Sequence, residues 1–293
     1  MFGPIHRNFV ARLQPNMEDF VHLHVHSQYS ILDGQASIGN LLKKAVADGM
    51  QGMALTDHGN MMGVKEFYNE AKKAIGKAKE SLKKAQEEGE SEEQIAKLQR
   101  AAAFKPILGC EMYVARRTLT DKKDKTDQSG HHLIVLAKNS VGYHNLIKLV
   151  SKAWVDGFYM RPRTDHEELA KYREGLIVCS ACLGGEIPRN ILKDDIDKAK
   201  EAARWFKSIF GDDYYLELQR HEVKDPSIQA NREVYGLQTK VNEVLIQLAK
   251  ELDIKLICSN DVHFVNEEDG EAHDRLICLS TGKDLDDPKR LLY

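Results

Sequence analysis

From residue 20 onward, short apolar runs rich in β-branched residues alternate with segments whose apolar positions recur every three or four residues. The first pattern predicts strands at 20–26, 52–57, 106–114, 131–138, 175–180, 213–219 and 255–260. The second predicts amphipathic helices at 38–48, 63–73, 140–154, 195–210 and 229–252. Strands that are apolar on both faces and separated by helices imply a parallel sheet covered by those helices. Seven of them in one chain favour a closed α/β barrel over an open sheet.

Two segments break this rhythm. Residues 72–103 are almost wholly Ala, Lys, Glu and Gln with a break at Glu88–Gly89–Glu90, which predicts a helical hairpin inserted between the second and third strands. Its apolar positions (Ile75, Leu82, Ile95, Leu98) are sparse, so it is expected to project into solvent. Residues 116–130 are polar and charged and read as a mobile loop.

Composition narrows the class. A chain of 293 residues accommodates one large domain or two small ones, and 42% hydrophobic residues are ordinary for a globular protein. No apolar run reaches the roughly 20 residues needed to span a bilayer. The first twenty residues lack the basic and apolar regions of a signal peptide, and the expected location is cytoplasmic. Five cysteines, an odd number, agree with a reducing compartment. The net charge of −3, from 45 acidic and 42 basic residues, lacks the basic excess of a DNA-binding module.

Twelve histidines change the picture. His22, His24 and His26 alternate with Leu23 and Val25, so an ideal strand points all three imidazoles one way, where a metal would offset their desolvation. The plain alternative is a solvent-facing edge strand. Asp261 and His263 repeat the spacing after the last strand, Asp57 and His58 follow the second, and His131 and His132 open the fourth. Glu111 is a charge inside an apolar run and needs a partner or a metal. Together these residues fall at or near the carboxyl ends of successive strands, where barrel enzymes build their sites. Cys179 and Cys182 face opposite sides of an extended chain, so one is a candidate ligand and the other a core residue, and neither a redox pair nor a four-sulfur site is expected. No glycine-rich phosphate loop and no GxSxG elbow occurs.

The segments HLHVHSQYSILDG (22–34), ALTDHGNMMGVKEFY (54–68), KPILGCEMYVA (105–115), GFYMRPR (157–163), CLGGEIP (182–188) and SNDVHF (259–264) resemble the polymerase and histidinol phosphatase (PHP) domain. The version resembled is the one that opens the alpha subunit of bacterial DNA polymerase III. The 72–103 hairpin departs from a shorter connection in that family and falls between the motifs. The resemblance implies a distorted seven-stranded (β/α)7 barrel with up to three divalent metals, zinc first and manganese or iron as alternatives. By motif the implied ligands are His24, His26, Asp33, His58, Glu111, His132, Cys182, Asp261 and His263. His22 is left as a core residue or a neighbour of the ligands, and Asp57 as a partner orienting an imidazole.

The implied activity is 3′-to-5′ removal of nucleotides, with Glu111, Asp261 and His132 in the catalytic set. Arg161 and Arg163 would hold substrate phosphates, the alternative being that they cap a helix or pair with Glu167 or Glu168. Other readings are a metal-stabilised structural module without chemistry and a histidinol-phosphate phosphatase. The implied partners are the 3′ end of a DNA primer, further polymerase domains of the same chain and other replicase subunits. On this reading residues 1–280 form the barrel domain and 281–293 begin a linker to polymerase domains outside this sequence, so DNA synthesis is not expected of this chain alone.

Overall fold

The computed structural model describes residues 20–222, 229–287 and 290. The stretch before residue 20 and most of the last residues of the expected linker lie outside the described residues. The strands are β1 (Gly52–Leu55), β2 (Lys105–Val114), β3 (His131–Ala137), β4 (Arg163–Thr164), β5 (Leu176–Cys179), β6 (Tyr214–Gln219) and β7 (Lys255–Ser259). The helices are α1 (Ile38–Ala47), α2 (Val64–Glu88), α3 (Glu92–Ala102), α4 (Ser140–Val155), α5 (His166–Lys171), α6 (Glu186–Leu192), α7 (Ile196–Phe210), α8 (Gln229–Leu252) and α9 (Gly270–Thr281).

The strands form one curled sheet in the order β1-β2-β3-β5-β6-β7, with the short β4 beside the upper end of β2. The expected all-parallel sheet is corrected in one place: β3 runs antiparallel to both β2 and β5. Between β2 and β3 the chain makes only the 3₁₀ turn Lys125–Gln128, and a parallel return needs a longer crossover. The reversal has a consequence for function. It brings the first residues of β3 to the end of the sheet where the parallel strands finish, with His132 opposite Tyr113.

The segment 22–26 joins the two edges of the curl. Ala54 N–H and Thr56 N–H donate to His22 O and Val25 O, while on the other side His26 N–H donates to Val262 O and Val262 N–H to His24 O. The step of two residues from Ala54 to Thr56 is thus matched by a step of three from His22 to Val25, a bulge that interrupts the pleat. Side-chain alternation fails there. Leu23 packs among the inner side chains Ala54, Ile134, Leu136, Cys179 and Ala181, and His24 and His26 also turn inward. Val25 points out beneath α1 and α2. The expectation that three imidazoles share one face is therefore wrong for His22, which lines a separate shallow cavity beside Lys44, Asp48 and Met53.

Outside the sheet, Met112, Val135, Val178 and Leu216 pack against Leu146 and Leu149 of α4, Phe206 of α7 and Leu245 of α8. A second core lies under α1 and α2, where Leu41, Leu42, Met53, Leu55 and Phe67 are buried. The α2–α3 hairpin turns at Gly89, whose φ of +69° suits glycine. Within 72–103 the only buried residue is Ala85, although Leu98 and Ala101 face Leu42 and Val46 of α1 across a shallow groove. The 116–130 segment, expected to be mobile, is tied down. Arg117 pairs with the buried Asp127, Leu119 is buried, and the Leu119 N–H donates to Asp165 Oδ2 at 2.8 Å. Its charges satisfy one another, which composition alone does not reveal.

Candidate metal centre

The inner face of the sheet changes character along the barrel. Lower positions are apolar (Ile107, Leu136, Ile177, Tyr215, Ile257), and the same alternation carried upward presents Glu111, His132 and Asp261 at the mouth. The turn after His26 supplies Asp33, and Asp57 builds that turn. Its carboxylate accepts from Ser27 N–H at 2.7 Å and from the Ser30 hydroxyl at 2.8 Å. Asp57 touches no imidazole itself; Ser30 does, with its Oγ 2.9 Å from His26 Nδ1. The Thr56 hydroxyl accepts from Val25 N–H at 2.8 Å, locking the bulged segment against the end of β1.

The mouth gathers every residue of the implied ligand set. His26, His58 and His263 form one group, His24, His26 and Asp261 a second, and Glu111, His132 and Cys182 a third, with ligand atoms within 4.8 Å of one another in each. Asp33 joins the first group: its Oδ2 is 2.5 Å from His58 Nε2 and 3.4 Å from His263 Nε2. Glu111 stands between the groups, with Oε1 2.7 Å from His132 Nδ1 and 3.4 Å from His24 Nε2, and its other oxygen against His58. The Cys182 thiol lies 3.5 Å from His132 Nδ1 and 3.9 Å from Glu111 Oε1.

Backbone strain marks the same residues. Leu32 before Asp33, Ala181 before Cys182, and Asp261 itself adopt φ of +62°, +62° and +50°. Non-glycine residues visit this region rarely and at a cost, and such positions cluster where a structure holds a functional group in place.

Burial and mutual charge shift the titrations. Burial opposes ionisation of Glu111, but His132 and His58 outweigh it and hold the carboxyl well below its usual range. Burial likewise works against protonated His58, yet Glu111 and Asp33 raise it to about 10. His24 is raised by Asp261 and Glu217 against the same desolvation. Burial, then the neighbouring His58 and His263, depresses His26 to about 3. Burial pushes the Cys182 thiol well up, with Asp261 and Glu111 adding to it.

Beneath the mouth lies a group that the sequence reading missed. Glu217 of β6 is buried, and its Oε1 is 2.8 Å from His24 Nδ1 and accepts from Gln219 Nε2 at 3.0 Å and from the Ser259 hydroxyl. The signal was present: Glu217 is a charge inside an alternating apolar strand, as Glu111 is.

The two cysteines separate as the spacing implies, but with different surroundings. Cys182 reaches the centre, while Cys179 faces inward one layer lower among Ile134 and Leu136 and does not face away from the barrel interior. His131, one step from His132 on β3 and opposite Val114, points to the other face of the sheet, away from the cluster. Of the two arginines only Arg161 faces the mouth, exposed and 5.8 Å above the Tyr113 ring. The expectation for Arg163 is corrected. It is fully buried and donates through Nε to Gly157 O at 3.0 Å and through Nη2 to Leu119 O at 2.9 Å, because β4 pairs with β2 and draws it into the core. A cleft of about 600 Å³ opens over the centre, bounded by Asp33, His58, His132, Trp154 and Arg161.

A curled mixed sheet wrapped by helices, with imidazoles and carboxylates gathered at one mouth, defines an α/β barrel whose mouth carries a donor set suited to metal ions. The chain belongs to the PHP domain family, whose model matches residues 22–221. It is 44% identical over 93% of its length to the DNA polymerase III subunit alpha of Borreliella burgdorferi. It is 40% identical over 94% of its length to that of Treponema pallidum, and 37% over 92% to that of Thermus aquaticus. The chain spans about a fifth of the length of these curated relatives. Among solved structures, an amidohydrolase from Chromobacterium violaceum aligns over 84% of this chain and 88% of its own at 14% identity and a TM-score of 0.42, and carries no weight for function.

Proposed function

We propose that the chain is the PHP portion of a bacterial DNA polymerase III alpha subunit and is a metal-dependent phosphodiesterase that removes nucleotides from a DNA 3′ end. The observation that supports this reading is the convergence at one mouth of nitrogen, oxygen and sulfur donors: among the described residues Asp33 Oδ1 is buried without a hydrogen-bond partner, and Glu111 Oε2 and Asp261 Oδ1 face only imidazole nitrogens of the same group. His24 Nε2 and His26 Nε2 face one another at 3.1 Å, an approach that suits a shared cation. The donor set fits divalent metal: His24, His26, Asp33, His58, Glu111, His132, Cys182, Asp261 and His263 would hold up to three ions, zinc by the imidazole and thiolate content, manganese or iron by the carboxylates. Bound there, the metals would supply Lewis acidity and a water acidified toward neutral pH.

The protein's own groups do the rest. Glu111 contacts His24, His58 and His132 at once and fixes their mutual spacing. Asp261 does the same for His24 and His26 from the opposite side. His132, partly exposed at the cleft, would serve within the ligand set beside Glu111 and Cys182, and Arg161 would hold a phosphate at the rim. The further polymerase domains of such a subunit and its replicase partners would deliver the primer end.

The test is release of mononucleotide from a 3′-mismatched primer by the zinc- or manganese-loaded chain. Glu111→Gln and Asp261→Asn should abolish release while circular dichroism shows an intact fold. A fully metallated chain that never releases nucleotide supports instead a metal-held structural module. That second reading rests on the centre joining the 22–26 segment to the end of β7 across the seam of the barrel. Hydrolysis of histidinol phosphate with no action on DNA would overturn both.

A further inference from the structure

The rim of the cleft is apolar in a way that the metal centre does not require. Trp154 at the end of α4 is 42% exposed, Phe158 44% and Met160 67%, although Trp and Phe are side chains that folding normally covers. Trp154 and Phe158 stack with ring centroids 5.5 Å apart and planes 19° from parallel. The pair is held, not loose. Trp154 Nε1 donates to Gly59 O at 2.8 Å, which ties the indole to the residue after His58.

The loop beyond it is equally built. Tyr159 N–H donates to Arg161 O at 3.0 Å, closing a tight turn with Met160 at φ +63° on its tip. The buried Arg163 guanidinium anchors that turn from below through Gly157 O. This gives Arg163 a role in place of the one expected of it. It is the pin that sets Phe158, Met160 and Arg161 at the rim.

A ligand filling this cleft meets three kinds of surface: a centre suited to a phosphoester, a guanidinium at the edge, and a rigid flat apolar face. We propose that the Trp154–Phe158 pair is a base-stacking platform that receives an unpaired nucleotide of a single-stranded 3′ end while its phosphodiester lies over the centre. The proposal rests on the phosphodiesterase reading and adds to it the substrate class, unpaired over paired ends. A paired 3′-terminal base is held by its partner and by the neighbour beneath it and reaches a platform inside a cleft only by giving up both, so an open aromatic platform discriminates for frayed or mismatched ends without reading sequence. Arg161, lying over Tyr113, is placed for the phosphate that follows.

The experiment uses the whole chain, metal-loaded, titrated with a hexathymidylate whose phosphorothioate linkages resist hydrolysis, and follows tryptophan fluorescence. Quenching is expected, and it should vanish in Trp154→Phe, because Trp205 is stacked on His166 well away from the cleft lining. Phe158→Ala should weaken binding about tenfold, the size of one lost base–aromatic stack. A blunt duplex of the same length should compete poorly. Absence of quenching, or unchanged affinity in Phe158→Ala, overturns the platform whether or not the chain hydrolyses DNA. Quenching that Phe158→Ala weakens, in a chain that releases no nucleotide, upholds the platform and leaves only the hydrolytic reading to fall.

Discussion

Glu217 offers the sharpest perturbation of the proposed centre, because it touches His24 and reaches no solvent. Glu217→Gln keeps the volume and can still accept from His24 Nδ1–H, but it removes the charge that makes that imidazole a better donor at Nε2. Carboxylates in this position typically account for 10–100-fold in metal affinity. The loss expected is therefore about 1.4–2.8 kcal/mol of binding, at roughly 1.4 kcal/mol per tenfold change. Glu217→Ala should be worse in a second way. It removes the carboxylate oxygen that His24 Nδ1, Gln219 Nε2 and the Ser259 hydroxyl now share, leaving these buried groups only the longer contacts of Gln219 Nε2 with Ser259 Oγ at 3.4 Å and His24 Nδ1 at 3.3 Å. At about 1–3 kcal/mol for each stranded group, relieved in part by repacking, the metal-free fold should lose about 3–5 kcal/mol. That is a drop of roughly 6–20 °C in Tm for a domain of this size. Chelator competition reads the first effect, and calorimetry of the stripped protein the second. A Glu217→Gln variant that binds metal within twofold of wild type would refute the link between Glu217 and the centre.

Three further outcomes follow from the same geometry. Protein purified without chelator should carry two to three equivalents of divalent metal, and elemental analysis below one equivalent after zinc or manganese reconstitution would sink the cluster. Cys182→Ser should lower metal content whereas Cys179→Ser, one layer beneath, should leave it unchanged; and because the Cys182 thiol is held protonated well above its usual range, metal uptake must expel that proton and affinity must rise with pH, which proton release in weak buffer measures. Replacing the hairpin tip, residues 77–100, with a short Gly-Ser linker should move Tm by no more than a few degrees, since Ala85 is the only buried side chain given up; insoluble expression would show that the groove against α1 matters to folding.

The strands were legible as short apolar runs buried on both faces, the helices because their burial is one-sided and periodic, and the ligand positions because polar residues interrupted apolar runs. What escaped was set by pairing partners far away in sequence. Nothing in the residues of β3 says that it runs antiparallel; the missing crossover before it does. His22, His24 and His26 look alike in sequence, and only the bulge against β1 turns His22 out. Arg161 and Arg163 are likewise two steps apart in one motif. One ends in the cleft and the other in the core because β4 adds to β2 at Arg163. Glu217 was hidden less by physics than by the absence of a motif around it.

The bulged 22–26 segment closes the ring by pairing with Val262, so two nearly opposite ends of the described chain must meet before the sheet has no free edge. On a ribosome the order is fixed: His24 and His26 emerge first and wait for almost the whole domain to follow. During that interval β1 has one unpaired side and the imidazoles lack Asp261 and His263. Closure is the step of highest sequence separation in this fold, and steps of that kind are slow and leave the chain open to aggregation. On the proposed metal reading, an ion captured early by His24 and His26 would meet its remaining ligands only at that moment, so completion of the centre and closure of the sheet would fall together.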